Sequence, residues 1–309
     1  MRSVTQSTVG DPSVLEIVEV ERPEPGYGQV LIKLGAAGIN PVDAAVRSGA
    51  YPILGEPPFT LGWDVAGTIE AVGSGISAFA PGDEVLGMPA FPAEAAAHAD
   101  YVLVSPNEIV RRPAALTVEE AGALPLAGLT AWQALVGIAR VEAGQSVLIH
   151  RAAGGVGHLA VQIAKARGAY VIGTARADNH AFLRDLGADR LIDYTTADFV
   201  AEAGPVDVVF DLMGGEYGER SAAALKPGGL LVGALGGPMG ASPRSGRPSW
   251  GAAGGGVRAP LRGGPGAAGR AGGGRAAGAR GPEPAAGRGR QGARARLGRP
   301  HEGKIVLVP

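Results

Sequence analysis

Short runs of apolar and β-branched residues, separated by turns, occupy the first 123 residues. The clearest lie at residues 29–33, 65–72 and 84–87, with Pro-Gly, Gly-Ser-Gly and Pro-Gly-Asp sequences between them. This pattern predicts a mostly β half, built as a partly open barrel. A helix is predicted at residues 113–124, with Thr117 as its N-cap, and it leads into the second half of the chain.

From residue 125 onward, helical and strand patterns alternate. Helices are predicted at residues 127–138, 158–167, 180–186 and 222–225, and strands at residues 147–149, 170–174, 191–193, 208–211 and 230–234. This alternation is typical of a parallel, doubly wound sheet. The sequence therefore predicts an α/β protein whose second half is doubly wound.

A glycine turn follows the first strand of this second half. Its sequence, His-Arg-Ala-Ala-Gly-Gly-Val-Gly, places Ala152, Gly154 and Gly157 at the fixed positions of the dinucleotide fingerprint. Small residues let the backbone approach a pyrophosphate, and the next helix directs its N-terminal N–H groups at the negative charge. No Gly-Lys-Ser/Thr follows the glycines, which disfavours a mononucleotide P-loop.

Composition excludes several kinds of site. The 309 residues contain no cysteine, so disulfides, thiolate zinc ligands and cysteine nucleophiles are excluded. The N-terminal ten residues lack an apolar signal segment, and no apolar run is long enough to span a membrane. A cytoplasmic protein without a membrane partner is expected.

Residues 241–299 differ from the rest of the chain. In the window 241–300, fifty-one of sixty residues are Gly, Ala, Arg or Pro, with twelve arginines and one acid, so the rest of the chain carries a charge of −12. The window has too little apolar material for a core. It is either a disordered Arg/Gly tail that binds nucleic acid or GC-rich coding sequence read out of frame. We favour the frameshift, because residues 303–308 resemble the closing strand of a known protein family and a genuine tail would have no reason to end in it. We therefore do not expect a nucleic-acid partner.

Several separated motifs carry a family resemblance. They are Ala-Ala-Gly-Ile-Asn-Pro-Val-Asp at residues 36–43, Leu-Gly-Trp-Asp-Val-Ala-Gly at 61–67, Leu-Pro-Leu-Ala-Gly-Leu-Thr-Ala-Trp at 124–132, the glycine turn, and Gly-Lys-Ile-Val-Leu at 303–307. With them the chain resembles the zinc-free quinone oxidoreductases, the ζ-crystallin-like group of the medium-chain dehydrogenase/reductase superfamily. The resemblance implies a GroES-like catalytic domain at residues 1–123, to which residues 300–309 return, and a Rossmann domain at 124–240, with cofactor and substrate between them.

The resemblance also bears on metal and reaction type. Asn40 stands where zinc-dependent relatives have cysteine, and Gly-Trp-Asp at residues 62–64 replaces their Gly-His-Glu. The usual zinc sites therefore cannot be built, and no metal is expected. The implied activity is hydride transfer from NADPH to a quinone or an α,β-unsaturated carbonyl. The alternative is a non-catalytic NADPH-binding or RNA-binding protein.

Four residues are candidates for catalysis. Asn40 is either a turn residue or a hydrogen-bonding group near the nicotinamide or substrate oxygen, and Asp43 is either a structural carboxylate or a direct participant. Tyr51 either stacks on a flat substrate or packs in the core, and Thr130 either caps a helix that it opens or contacts the nicotinamide.

The resemblance also implies a set of cofactor contacts. They are Asn40, Thr130, Ala153, Gly154, Gly155, Val156, Gly157, Thr174, Arg176, Tyr194, Ala234 and Leu235.

Cofactor preference depends on the end of the second strand of this half. No acid stands at its tip, and Arg176 with Tyr194 can meet the 2′-phosphate of NADPH, although Asp178 could instead face a ribose hydroxyl. His150 is interpreted as structural. Arg151 departs from the small residue usual in the family, and it either strengthens phosphate binding or points outward. A homodimer is expected if residues 241–299 are intact in the natural protein.

Overall fold

The structure, a computed structural model, describes residues 1–234, the backbone of 256–258, and residues 303–308. Its first part contains eight strands and two helices: β1 (Arg2–Gln6), β2 (Leu15–Glu19), β3 (Val30–Ile39), α1 (Pro41–Arg47), β4 (Phe59–Thr60), β5 (Val65–Val72), β6 (Glu84–Gly87), β7 (Tyr101–Val104), β8 (Ile109–Arg111) and α2 (Val118–Ala123). Single 3₁₀ turns occur at Pro12–Val14 and Pro106–Glu108.

Two antiparallel sheets form this β-rich part. A small sheet has the order β2-β1-β4. In the larger sheet, β3 pairs with β5 and β7, and the sheet continues through β6 to β8. The last described strand, β15 (Ile305–Leu307), returns to β3 and pairs with Ile39 and Ala37 at its two ends. The C-terminal segment is thus part of the β-rich half.

The second half alternates helices and strands. Its elements are α3 (Pro125–Trp132), β9 (Ser146–Ile149), α4 (Gly157–Ala166), β10 (Tyr170–Thr174), α5 (His180–Asp185), β11 (Arg190–Ile192), α6 (Phe199–Ala203), β12 (Val206–Asp211), α7 (Glu216–Ala222), β13 (Leu225–Gly233) and β14 (Gly256–Arg258). A π-helical turn, Gln133–Ile138, extends α3, and a 3₁₀ turn, Ala177–Asn179, precedes α5.

The sheet of this half has the order β11-β10-β9-β12-β13-β14. Its first five strands are parallel, and β14 is antiparallel to β13. This is the Rossmann order, in which the direction of winding reverses between β9 and β12, so ligands are expected at the carboxyl ends of these two strands. The predicted fold class, a GroES-like β half followed by a Rossmann sheet, is confirmed.

Local sequence explains the helix that joins the two halves. Thr117 caps α2, because its side-chain oxygen accepts the N–H of Glu120 at 3.2 Å. The following helix, α3, begins at Pro125, which fits the first turn because that position needs no N–H donor. Its buried face, Ala127 and Ala131, packs into the apolar core beside β9. The joining segment is therefore anchored at both ends.

One predicted helix is wrong. The sequence predicts a helix at residues 222–225, followed by Pro-Gly-Gly at 227–229, but the helix α7 already ends at Ala222 and the strand β13 starts at Leu225. The pairing of β12 with β13 shifts register between Val206 and Val208, so the Pro-Gly-Gly sequence lies in an irregular part of a strand. Gly228 there has φ of +80°, which glycine adopts without strain.

None of the helices in the described part of the chain combines the length and apolar character needed to cross a membrane. The anomalous segment, residues 241–299, falls outside the described residues apart from the three residues of β14.

Candidate active site

A cleft between the β-rich half and the Rossmann sheet contains the predicted turn. It has about 1060 Å³ of empty volume, part of it open to solvent. Its lining comes from both halves: Asn40, Pro41, Val42, Met88, Phe91, Leu126, Ala127, Leu129, Thr130, Gln133, Arg151, Gly154, Gly155, Val156, Gly157, Leu212, Ala234 and Lys304. Because the cleft lies where the sheet reverses its winding, it is the expected ligand site of this fold.

The glycine turn between β9 and α4 is tightly packed against its own backbone. A β-carbon added to Gly157 would stand 2.3 Å from the carbonyl oxygen of Arg151, so only glycine fits there. The N–H of Gly154 donates to that same oxygen at 2.9 Å. At the start of α4 the N–H groups of His158 and Ala160 donate to the carbonyls of Gly154 and Val156. The N-terminal end of a helix still favours negative charge, so an anion can bind at the turn.

His150 supports the turn through hydrogen bonds to buried hydroxyl groups. Its imidazole is fully buried, with Nδ1 3.1 Å from the Thr174 hydroxyl and Nε2 2.9 Å from the Ser221 hydroxyl. Burial lowers the pKa of His150 to about 4, so the ring is neutral at pH 7. His150 therefore has the structural role expected of it, and it positions Thr174, whose hydroxyl also accepts the N–H of Arg151 at 3.3 Å.

A buried polar chain forms another part of the cleft lining, the polar wall, and Lys304 in this chain packs against Gly155 of the turn. The Lys304 ammonium lies 2.7 Å from the Asp64 carboxylate, and the two side chains are 5% and 0% exposed. Asn40 Nδ2 donates to the same carboxylate oxygen at 2.9 Å, and the N–H of Leu126 donates to the other oxygen at 2.6 Å. Lys304 also donates to the carbonyl of Ala123 at 3.3 Å. These contacts fix Asn40 and Lys304, which both line the cleft.

Asp43 lies behind Asn40 rather than in the cleft. One of its oxygens accepts the Asn40 N–H at 2.6 Å, and the other, Oδ1, has no hydrogen-bond partner among the described residues. Burial, opposed by that hydrogen bond and reinforced by the charge of Asp64, raises the pKa of Asp43 to about 7. Asp43 is therefore a carboxyl group that is partly protonated at neutral pH.

A second polar group lies at the carboxyl end of β10. The side chain of Arg176 is exposed, and its Nε donates to the Tyr194 hydroxyl at 3.3 Å. The neighbouring residue in the chain, Ala177, donates its N–H to Asp193. Two residues predicted to flank a 2′-phosphate therefore lie side by side at the strand tips.

The other predicted site residues fall into three groups. Thr130 lies inside α3 and does not open it, because its hydroxyl donates to the Leu126 carbonyl at 2.7 Å, so the predicted cap is wrong although the residue does line the cleft. Ala153 is buried under the turn, and Tyr51 is 7% exposed within an apolar cluster and is not a cleft residue. Leu235 lies outside the described residues.

Sequence reasoning missed the ion pair and the apolar walls. Asp64 and Lys304 are charged residues within otherwise apolar motifs. A charged side chain is buried only when it has a partner, so these two positions could have indicated an ion pair. Met88, Phe91 and Leu129 line the cleft, and nothing local in the sequence marks them. In the part of the chain that the structure describes, no three His, Asp or Glu side chains form a group that could hold a metal ion.

Replacing Lys304 by Met tests the buried ion pair. Asp64 keeps its burial and loses its counter-charge, so we expect the free energy of unfolding to fall by about 3–5 kcal/mol. Urea unfolding measures this. Adding Asp64→Asn should restore much of the loss, because no uncompensated charge then remains.

The control for this variant is Arg190→Met, which breaks the ion pair between Arg190 and Glu202, both of them about half exposed. That pair should contribute less than about 1 kcal/mol. Equal losses in the two single variants would contradict a stabilising role of the buried pair.

The raised pKa of Asp43 predicts a pH effect on stability. The folded protein holds this proton more tightly than the unfolded chain, so the contribution is fully present below about pH 4 and is lost as the pH rises to about 7. The unfolding free energy of the natural protein minus that of Asp43→Asn should therefore decrease over this range, by roughly 1.4 kcal/mol per unit of pKa shift.

Comparing the two proteins at each pH cancels the contributions of the histidines, which both contain. Denaturant unfolding at several pH values gives the difference. A difference that stays constant between pH 4 and 7 would mean that Asp43 titrates normally.

Comparisons with known proteins agree with this geometry. Residues 26–114 match the family profile described as alcohol dehydrogenase GroES-like domain, and residues 155–249 match that of zinc-binding dehydrogenase. The quinone oxidoreductase of Rattus norvegicus is 36% identical over 240 residues, which cover 75% of this chain and 72% of that protein.

Solved structures give the same result. The quinone oxidoreductase from Coxiella burnetii has a TM-score of 0.70 and 42% identity, covering 73% of both chains. The Escherichia coli quinone oxidoreductase complexed with NADPH has a TM-score of 0.68 and 32% identity, covering 75% of this chain and 72% of that one. The chain therefore belongs to the quinone oxidoreductase family of the medium-chain dehydrogenase/reductase superfamily.

Proposed function

We propose that this protein is a zinc-independent reductase that transfers hydride from NADPH to a quinone or an α,β-unsaturated carbonyl. One observation carries the proposal: a single cleft is lined both by the glycine turn and by Asn40 and Lys304 of the buried polar chain. A dinucleotide on the turn and an acceptor against the polar wall would share this cleft. The family membership supports the oxidoreductase class.

The residues of the turn fit a dinucleotide. Gly154 and Gly157 leave the backbone bare at the start of α4, where an anion finds N–H donors. At the other end, the pair of Arg176 and Tyr194 offers a cation and a hydroxyl to a 2′-phosphate. NADPH is therefore preferred over NADH in this proposal, which also agrees with the NADPH complex of the E. coli relative.

The donor set at the usual metal position favours chemistry without zinc. Trp63 is fully buried there, and its indole N–H donates to the Ala93 carbonyl at 2.7 Å, so it has no lone pair for a metal. Asn40 already donates to Asp64, and the chain contains no cysteine. A zinc-binding alcohol dehydrogenase site needs thiolate or imidazole ligands at these positions.

NADPH, when bound, supplies the hydride. The chain's own groups orient the reactants and stabilise charge. The Thr130 hydroxyl donates its proton to the Leu126 carbonyl, so its oxygen faces other partners as an acceptor. One Asn40 Nδ2 hydrogen is bound by Asp64, and the second is available to an oxygen in the cleft that gains negative charge. The proton that completes the reduction comes from water.

The walls of the cleft suit a flat, uncharged acceptor. Met88, Phe91 and Leu129 are apolar, and Phe91 is held edge-on against Trp63 with ring centroids 5.3 Å apart. Apolar walls exclude water and strengthen the interactions of the few polar groups. We assign residues 1–123 with 300–309 to the catalytic domain and 124–240 to the cofactor domain. We propose a cytoplasmic protein, which forms a homodimer if residues 241–299 are intact in the natural protein.

Steady-state NADPH oxidation tests the reaction. We expect turnover with 1,4-naphthoquinone or with one of a panel of enones. Dialysis against EDTA should leave the rate unchanged, because no step needs a metal. Absence of turnover with every acceptor, while NADPH still binds, would favour the non-catalytic alternative, and a loss on dialysis that zinc restores would contradict zinc independence.

Replacing Arg176 by Ala tests the cofactor preference. The charge-assisted contact to the 2′-phosphate is lost, so the Kd for NADPH should rise about tenfold while the Kd for NADH stays the same. Fluorescence titration measures both. Arg190→Ala, on the next strand, removes the same charge without approaching the strand tip and should change neither Kd. Equal affinities of the natural protein for the two cofactors would refute the preference.

A further inference from the structure

We propose that Arg151 binds the pyrophosphate of the dinucleotide as a side-chain clamp on the glycine turn. This inference rests on the proposed NADPH function and adds to it a residue for which the dinucleotide fingerprint has no role. Arg151 is exposed and lines the cleft next to Gly154. It connects β9 to the turn and lies where a bound anion would meet the N-terminus of α4.

The backbone of Arg151 is held in a conformation unusual for a side-chain-bearing residue. Its φ is +50°, in the left-handed region that normally favours glycine. Contacts on both sides impose this shape: its N–H donates to Thr174, and its carbonyl accepts from Gly154 and faces the bare Cα of Gly157. A glycine would satisfy the same contacts without strain. An arginine at this position strains the backbone, and its exposed side chain adds no buried contact that would offset the strain.

The side chain runs directly along the phosphate-binding part of the turn. A β-carbon added to Gly154 would stand 3.3 Å from Arg151 Cγ and 3.5 Å from its Nε. In the part of the chain that the structure describes, no carboxylate or carbonyl holds the guanidinium. Among the described residues, the guanidinium is therefore a positive charge without a hydrogen-bond or ion-pair partner, beside backbone that an anion can approach closely.

The chemistry of these neighbours identifies the ligand group. A guanidinium presents paired N–H donors that match phosphate oxygens, and the apolar walls of the cleft strengthen the attraction. The 2′-phosphate already has Arg176 and Tyr194 at the strand tips. Among the described residues that line the cleft beside the turn, the only other cationic side chain is Lys304, which is bonded to Asp64. The pyrophosphate, common to NADPH and NADH, is therefore the group that Arg151 would bind.

The test compares Arg151→Gly with a matched control, Arg140→Gly. Arg140 is also exposed, also has a left-handed φ, +52°, and does not line the cleft. Both substitutions remove one positive charge and relieve the same backbone strain, so the melting temperature without cofactor should stay the same or rise by up to about 2 °C in each. Only Arg151→Gly should weaken cofactor binding.

Fluorescence titration and calorimetry provide the readout at low and moderate salt. We expect the Kd values for both NADPH and NADH to rise about tenfold in Arg151→Gly, with a smaller change at higher salt because exposed charges are screened. Binding of adenosine 2′-monophosphate, which lacks the pyrophosphate, should not change. The conservative variant Arg151→Lys should recover part of the affinity, since it restores the charge without the paired donors.

Other outcomes would overturn the role of Arg151, the assignment to the pyrophosphate, or the proposed function. Unchanged Kd values in Arg151→Gly, with a natural protein that binds NADPH, overturn the role of Arg151 and leave the proposed function intact. Weakening for NADPH and adenosine 2′-monophosphate alone would assign Arg151 to the 2′-phosphate and overturn the pyrophosphate assignment. A natural protein that binds neither cofactor overturns the proposed function and this inference together.

Discussion

The buried ion pair between Lys304 and Asp64 holds the active-site cleft together. Two opposite charges that are almost fully removed from water stabilise a fold only when their remaining hydrogen-bonding groups are also satisfied. Here Asn40, the N–H of Leu126 and the carbonyl of Ala123 complete the set. The pair thus ties together the start of α1, the end of α2, the first turn of α3 and the C-terminal segment. Loss of either Lys304 or Asp64 would leave the other charge buried without compensation.

The same constraint shapes the chemistry of the neighbouring carboxyl group. Asp43 lies within the same buried region, and a second full negative charge next to Asp64 is unfavourable there. Lys304 can neutralise one carboxylate directly, and it bonds to Asp64. Burial is the main reason that Asp43 holds its proton more tightly, and the hydrogen bond from the Asn40 N–H opposes this only in part. Asp64 therefore stays ionised because Lys304 contacts it directly, whereas Asp43 is partly protonated at neutral pH.

Local pattern was sufficient for the sheet and insufficient for the polar wall. The strand β10 and the start of α4 agree with the sequence prediction, because a short apolar run and a glycine turn are local signals. The helix predicted at 222–225 failed because Pro-Gly-Gly also occurs in an irregular strand. Asp64 and Lys304 are 240 residues apart, and no periodicity reports such a pairing. Tyr51 illustrates a further limit, since an aromatic residue near a site can pack in the core instead.

Among the described residues, two cationic side chains line the cleft, Lys304 and Arg151. They differ in burial, and burial decides whether each can bind a ligand. Lys304 is enclosed, so the fold is stable only if its charge is already neutralised, and its partner must be part of the protein. Arg151 is exposed to water, which solvates the guanidinium in the absence of a partner, so its donors can be transferred to an anion at little desolvation cost. Its backbone strain gives no stability to the fold. A strained, solvated cation that has no partner among the described residues and lies beside a helix N-terminus is therefore better explained by an anionic ligand than by folding.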